Sequence, residues 1–264
     1  MQDLGRASEW YLKAALQGHS LAQNNIGSMY QQGRGVPQDY LKAMEWYIKS
    51  VTQGNTTAQD NIGSLYRNGL GVPRDYHKTL ECYLASARGE NASAQKNIGD
   101  LYQHGLSVPQ DYSQAMTWYL RAANQEHVPT HTSIASLYYN GKGVPQDYSK
   151  ALLWYRKAAD RKDAEAQRCI GCLYHFGHGV RKDYTRAWHW YIMAAKQGLA
   201  TVQNSVGYLR EFGYGIPQNS SLAIRWYLKS AKQGNAIAQG HIGCYYEKGR
   251  GVEKDLVNAM QWYL

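Results

Sequence analysis

The sequence has no long apolar run, few cysteines and almost no phenylalanine, and each shortage narrows what the chain can be. No segment approaches the ~18 consecutive apolar residues of a membrane-spanning helix, and mean hydropathy is −0.60. A bundle of spanning helices is therefore excluded. Four cysteines in 264 residues build no disulfide scaffold. Phenylalanine supplies 2 residues, whereas tyrosine supplies 23, tryptophan 8 and glycine 26. No run alternates with the period of two that marks a strand. Common catalytic signatures are missing as well: there is no Walker sequence, no G-x-S-x-G and no H-E-x-x-H. The turn at Gly33-x-Gly35 lacks the third glycine of a dinucleotide loop and follows a helical segment rather than a strand. Apolar content, at 44% with 12% aromatic, is not short, and it excludes a disordered chain.

What the chain does have is a period of 36. Gly33, Gly69, Gly105, Gly141, Gly177, Gly213 and Gly249 keep that spacing, as do Gly27, Gly63, Gly99, Ala135, Gly171, Gly207 and Gly243. An aromatic pair recurs in step, from Trp10-Tyr11 and Trp46-Tyr47 to Trp226-Tyr227 and Trp262-Tyr263, with Cys82 once replacing the tryptophan. Residues 56–91 illustrate the unit. Ala58, Ile62, Leu65 and Tyr66 form the apolar stripe of a first helix, with Gly63 beside it, where a missing side chain admits a close neighbour. Gly69 is placed as a C-cap, and Asp75, after Pro73, as the N-cap of a second helix carrying Tyr76, Leu80, Tyr83, Leu84 and Ala87. The spacing predicts fifteen helices, one opening helix and then seven pairs.

A two-helix unit cannot bury both apolar stripes alone, so it must stack on its neighbours. The expected fold class is all-α, an α/α superhelix (solenoid) of 36-residue helix-turn-helix repeats with one concave face. The expected organisation is a single array over 1–264. It comprises a partial opening unit at 1–19, full repeats at 20–55, 56–91, 92–127, 128–163, 164–199 and 200–235, and a truncated repeat at 236–264. Both ends fall inside a unit, so the chain is expected to be a fragment of a longer array or to dock on something at its ends.

The repeated motif resembles the Sel-1-like repeat family, relatives of the tetratricopeptide repeats. It stands here as Ala22-x3-Ile26-Gly27-x2-Tyr30-x2-Gly33-x-Gly35-Val36-x2-Asp39-x2-Lys42-Ala43-x2-Trp46-Tyr47. The likeness covers nearly the whole chain, at 36-residue spacing rather than the ~34 of tetratricopeptide repeats. It implies a non-enzymatic adaptor or scaffold that binds other proteins or peptides and needs no cofactor or metal. A secreted, cysteine-rich branch of the family is associated with β-lactam binding and hydrolysis, and it implies an enzymatic alternative. That branch carries regular cysteine pairs, a pattern that Cys82, Cys169, Cys172 and Cys244 do not form. Other members are lumenal components of endoplasmic-reticulum degradation complexes. No signal precedes the first repeat and the cysteines are unpaired in pattern, so the expected location is the cytoplasm; a missing leader would shift it to the endoplasmic-reticulum lumen or outside the cell. Sequons at Asn55, Asn91 and Asn219, all in expected turns, lean mildly that way. Departures from the motif are few: Cys82, Ser107 for the second turn glycine, Arg210 for the helix tyrosine, Asn219-Ser220 for Asp-Tyr, and Pro129 in a first turn.

Function is expected at first-helix positions that do not repeat. From these we take Arg67, Lys96, Asp100, Gln103, Tyr139, Arg168, His175, Tyr208, Glu211 and Glu247 as a candidate partner-binding groove. The alternative is that they are ordinary solvated positions. The series Cys169-x2-Cys172-x2-His175-x2-His178 holds four zinc-compatible side chains. However, three-residue steps along a helix rotate each about 60° from the last, so no metal is expected there. Charge is uneven: residues 1–127 hold 11 basic and 11 acidic side chains, residues 128–264 hold 18 and 9. Nucleic acid is not the expected partner, because Arg161-Lys162 and Arg181-Lys182 fall at opposite edges of a hairpin stack, ~18 Å or more apart. An acidic protein or an anionic surface would match the same charge.

Overall fold

Each 36-residue segment folds as a helical hairpin because its punctuation is local. The computed structural model describes residues 2–264, and among these there are fifteen α-helices and no strand. In order they are α1 (Gln2–Leu16), α2 (Ser20–Gln32), α3 (Tyr40–Val51), α4 (Thr56–Asn68), α5 (Tyr76–Arg88), α6 (Ala92–His104), α7 (Tyr112–Ala123), α8 (Val128–Asn140), α9 (Tyr148–Ala159), α10 (Ala164–Phe176), α11 (Tyr184–Lys196), α12 (Ala200–Phe212), α13 (Ser220–Ala231), α14 (Ala236–Lys248) and α15 (Leu256–Tyr263). The fold class is the all-α helical-repeat class expected. No described helix is long and apolar enough to cross a membrane.

The first helix of a pair stops at a left-handed residue. Gly69 has φ 66° and donates its N–H to the Leu65 carbonyl, and Gly33, Gly105, Gly177, Gly213 and Gly249 end their helices in the same way. The second helix starts at Asp39, Asp75, Asp111, Asp147, Asp183 or Asp255, whose carboxylate accepts the N–H three residues on. Asn219 departs from aspartate without losing the cap, since its side-chain oxygen accepts from Leu222. Asn55 and Asn91 cap first helices by accepting from Ala58 and Ala94. All three sequon asparagines are thus N-caps, and the recurrence of caps accounts for their positions.

Between the two helices of a hairpin lies one tyrosine, buried in every pair but the last, where Tyr263 is exposed. Tyr47, Tyr83, Tyr119 and Tyr227 are fully buried, and Tyr155 and Tyr191 nearly so. Each ring fills the space that a small residue on the first helix leaves open: a Cβ at Gly27 or Gly207 would lie 2.7 Å from the ring of Tyr47 or Tyr227. The chain divides into two compact units, Met1–Thr130 and His131–Leu264. Within the first, small clusters such as Ala43, Tyr47, Ala58, Ile62 and Leu65 recur from hairpin to hairpin. Within the second, one cluster runs from Ala135 to Leu209, and another gathers Ile224, Tyr227, Ile242 and Tyr245. In both, the core is local and repeated.

Candidate functional site

In the Met1–Thr130 unit, the candidate residues converge on one carboxylate. Asp100, on α6, is 7% exposed. Lys96 Nζ lies 2.7 Å from its Oδ2, Arg67 Nη1 from α4 lies 3.6 Å from the same oxygen, and the Tyr119 hydroxyl donates to Oδ1 at 2.9 Å. Gln103 Oε1 accepts from that hydroxyl as well, at 3.1 Å. Four of the expected groove residues therefore form one internal network that ties α4, α6 and α7 together. About two turns before Arg67 on α4, Asp60 accepts from Asn97 Nδ2 at 3.0 Å, and burial pushes its carboxyl above the usual range.

The tyrosine hydroxyls explain a second set. Tyr47 donates to Gln31, Tyr227 to Glu211 at 2.6 Å, and Tyr263 to Glu247 at 2.9 Å, each 16 residues back. The third variable position of a first helix is thus where the tyrosine between the two helices of the same hairpin often finds its acceptor. Glu211 is 8% exposed and has two further partners, His241 Nδ1 at 3.9 Å and Arg250 Nη1 at 3.7 Å. Burial, followed by the Glu211 carboxylate, raises the Tyr227 hydroxyl pKa well above its ordinary value. Nothing in the sequence pattern distinguishes these structural acceptors from free groove positions.

Tyr139, Arg168, His175 and Tyr208 have a different setting in the His131–Leu264 unit. Tyr139 and Arg168 line a pocket of about 240 Å³ together with Ser136, Asn140, Tyr155, Cys169, Cys172 and Phe176. The Arg168 guanidinium pairs with Glu165 and lies 3.4 Å from Cys169 Sγ and 3.6 Å from Cys172 Sγ. The Tyr191 hydroxyl donates to Cys172 Sγ at 3.3 Å, and burial pushes the Cys169 thiol up to about 11. The two histidines of the zinc-like series are engaged elsewhere. His178 pairs with the Tyr139 hydroxyl at 3.1 Å and stacks on Tyr148, while His175 packs edge-on against Tyr184. No group of three or more possible metal ligands occurs among the described residues.

An aromatic row that no sequence motif marks lies beside this pocket. Phe176 stacks on His178, which stacks on Tyr148; Tyr184 stacks on Tyr214, which stacks on Phe212; and Phe212 packs against Tyr208. Phe176 and Phe212 are 59% and 48% exposed, although they are the chain's two phenylalanines. Each is the last residue of a first helix, 36 apart, in a slot held by Gln32, Asn68, His104, Asn140 and Lys248 elsewhere. That spacing was the available signal. A second, polar hollow adjoins α11, lined by Arg181, Lys182, Asp183 and Arg186 with Tyr174 and Val180. Lys182 Nζ sits 4.7 Å from the centre of the Tyr184 ring. Burial, followed by the charge of Lys182, lowers the pKa of His175.

The Sel1 repeat model matches residues 1–19, 20–55, 56–91, 92–127, 132–163, 164–199, 200–235 and 236–264. The chain is similar to c5321, a protective antigen present in uropathogenic Escherichia coli strains displaying an SLR fold. Identity is 36%, the likeness covers 100% of this chain and 56% of the antigen's, and the TM-score is 0.82. A Sel1 repeat protein from Oxalobacter formigenes is 33% identical over 94% of this chain and 96% of its own, with a TM-score of 0.79. The immunity protein Pa5087 from Pseudomonas aeruginosa shares the fold at 21% identity, covering 72% of this chain and 73% of its own, with a TM-score of 0.50. No curated protein sequence matches significantly.

Proposed function

Because this chain belongs to the Sel1 repeat family, we propose that it acts as a protein-interaction scaffold, holding partner proteins on first-helix surfaces of its repeats. One observation carries the proposal. The framework of glycines, caps and buried tyrosines repeats every 36 residues, whereas first-helix surface residues change from unit to unit and form a pocket with an exposed aromatic row. A side chain that neither packs the hairpin nor caps a helix, yet keeps a large ring in water, is better suited to a partner than to the fold. All four cysteines are free, so the paired cysteines of the cysteine-rich, β-lactam-handling branch have no counterpart here.

The test is affinity capture of partner proteins by the wild-type chain and by a Tyr139→Ala, Tyr208→Ala double variant. Loss of the captured partners, with helical content and melting unchanged, is the expected result. Equal recovery by the two would overturn the assignment to these surfaces.

A further inference from the structure

Deepening the scaffold reading on which it rests, we infer that the aromatic row of the His131–Leu264 unit docks an extended acidic peptide segment, which places one bulky apolar side chain in the Tyr139–Phe176 pocket. The pocket supplies the anchor. At about 240 Å³ it falls below the ~300 Å³ at which small-molecule sites begin, and it suits a single side chain of a partner. Its lining includes the exposed Phe176 ring and the Arg168 guanidinium, which is paired with Glu165 and lies against two thiols. Beyond it the row continues through Tyr184 to Phe212, which gives an extended chain a second apolar contact one repeat further on.

Charge selects the partner. The net +9 of the protein lies in residues 128–264; Arg181 and Lys182 line the hollow next to the row, where Arg186 is paired with Asp183 and Lys182 lies against the Tyr184 ring. Single-stranded nucleic acid also combines cations with aromatics, but it needs open ring faces on which bases can stack. Here the faces of four rings are turned on one another: Tyr148 and His178 stack at 4.8 Å and 19°, and Tyr184 and Tyr214 at 4.9 Å and 21°. A ring engaged on its face offers its edge, which is the positive end of the aromatic quadrupole. Edges beside lysine and arginine attract carboxylates and peptide carbonyls. A carboxylate-bearing chain fits both the charge and the ring geometry.

The experiment is selection from a random twelve-residue phage-displayed peptide library on the full chain. Selected peptides are then titrated by fluorescence polarisation, alongside a dT20 oligonucleotide. The expected outcome is enrichment of peptides rich in Asp and Glu that contain one Phe, Trp or Leu, with binding that weakens as salt rises. Phe176→Ser with Phe212→Ser, and separately Arg181→Glu with Lys182→Glu, should each weaken binding about tenfold or more. These side chains are exposed or lie in turns, and unchanged circular dichroism and melting confirm that the variants fold. Enriched peptides without acidic bias, or binding that survives both variants, would overturn the inference and leave the scaffold reading standing. Tighter binding of dT20 than of any selected peptide would overturn it in favour of nucleic acid. No enriched peptide at all would overturn the inference, while the scaffold reading stands or falls on the capture of partner proteins.

Discussion

Replacing Ser107 by glycine should stabilise the protein. Ser107 has φ 66°, in a turn slot where Gly35, Gly71, Gly143, Gly179, Gly215 and Gly251 have φ between 65° and 74°. An L-residue held in the left-handed region costs ~1–2 kcal/mol relative to glycine. The slot is also crowded. A Cβ at Gly71 would lie 2.7 Å from Tyr40 Cβ, and one at Gly251 would lie 2.7 Å from the Ser220 carbonyl carbon, each at the start of the preceding second helix. Ser107 carries that Cβ, so its surroundings have already yielded, at a further cost of up to ~1 kcal/mol. Glycine returns ~0.4–1 kcal/mol of this as extra freedom in the unfolded chain. The balance is a gain of ~1–2 kcal/mol for Ser107→Gly. At ~2–4 °C per kcal/mol for a chain of this size, the melting temperature should rise by several degrees. Repeat arrays can lose two-state behaviour, so the urea midpoint should be read together with amide exchange in α6 and α7. Gly71→Ser is the mirror test and should lose at least as much. If Ser107→Gly leaves the midpoint unchanged while Gly71→Ser is also tolerated, the slot is not strained and the reasoning fails.

Further outcomes follow from the same geometry. Gly171→Ala should destabilise by ~1–2 kcal/mol despite alanine's better helix propensity, because the new methyl would overlap the Tyr191 ring; this is measurable by urea denaturation. Tyr227→Phe removes the hydroxyl that donates to buried Glu211 and should cost ~1–3 kcal/mol in the same assay. Asp60 has a raised folded pKa because of burial, so its favourable contribution is full below its unfolded value of ~3.9 and is lost as pH rises through the folded value. Asp60→Asn should therefore flatten the fall in urea midpoint between acid and neutral pH and raise the midpoint at pH 7. Asn219→Ala should cost ~1 kcal/mol by uncapping α13, seen as faster amide exchange in its first turn.

Much of the molecule is legible in one dimension because its instructions are short-range. The glycine that ends α4 and the aspartate that starts α5 act through hydrogen bonds spanning three or four residues. The 36-residue recurrence of Ile26-Gly27 and Trp46-Tyr47 was enough to give fifteen helices and the repeat family. Asn55, Asn91 and Asn219 look like sequons in a string of letters, and backbone geometry shows them to be caps. Side-chain purpose lies beyond that range. Gln103, Glu211 and Glu247 look as variable as any surface residue, yet a tyrosine 16 positions later on the opposing helix uses each as its acceptor. Asp100 is buried between a lysine four residues away and an arginine one repeat earlier. His178 leaves the cysteines for Tyr139, and two phenylalanines emerge beside a pocket, because those outcomes depend on distances across stacked helices. Local chemistry chooses the hairpin, and the stacking of hairpins decides which side chains are spent inside it and which are left to meet a partner.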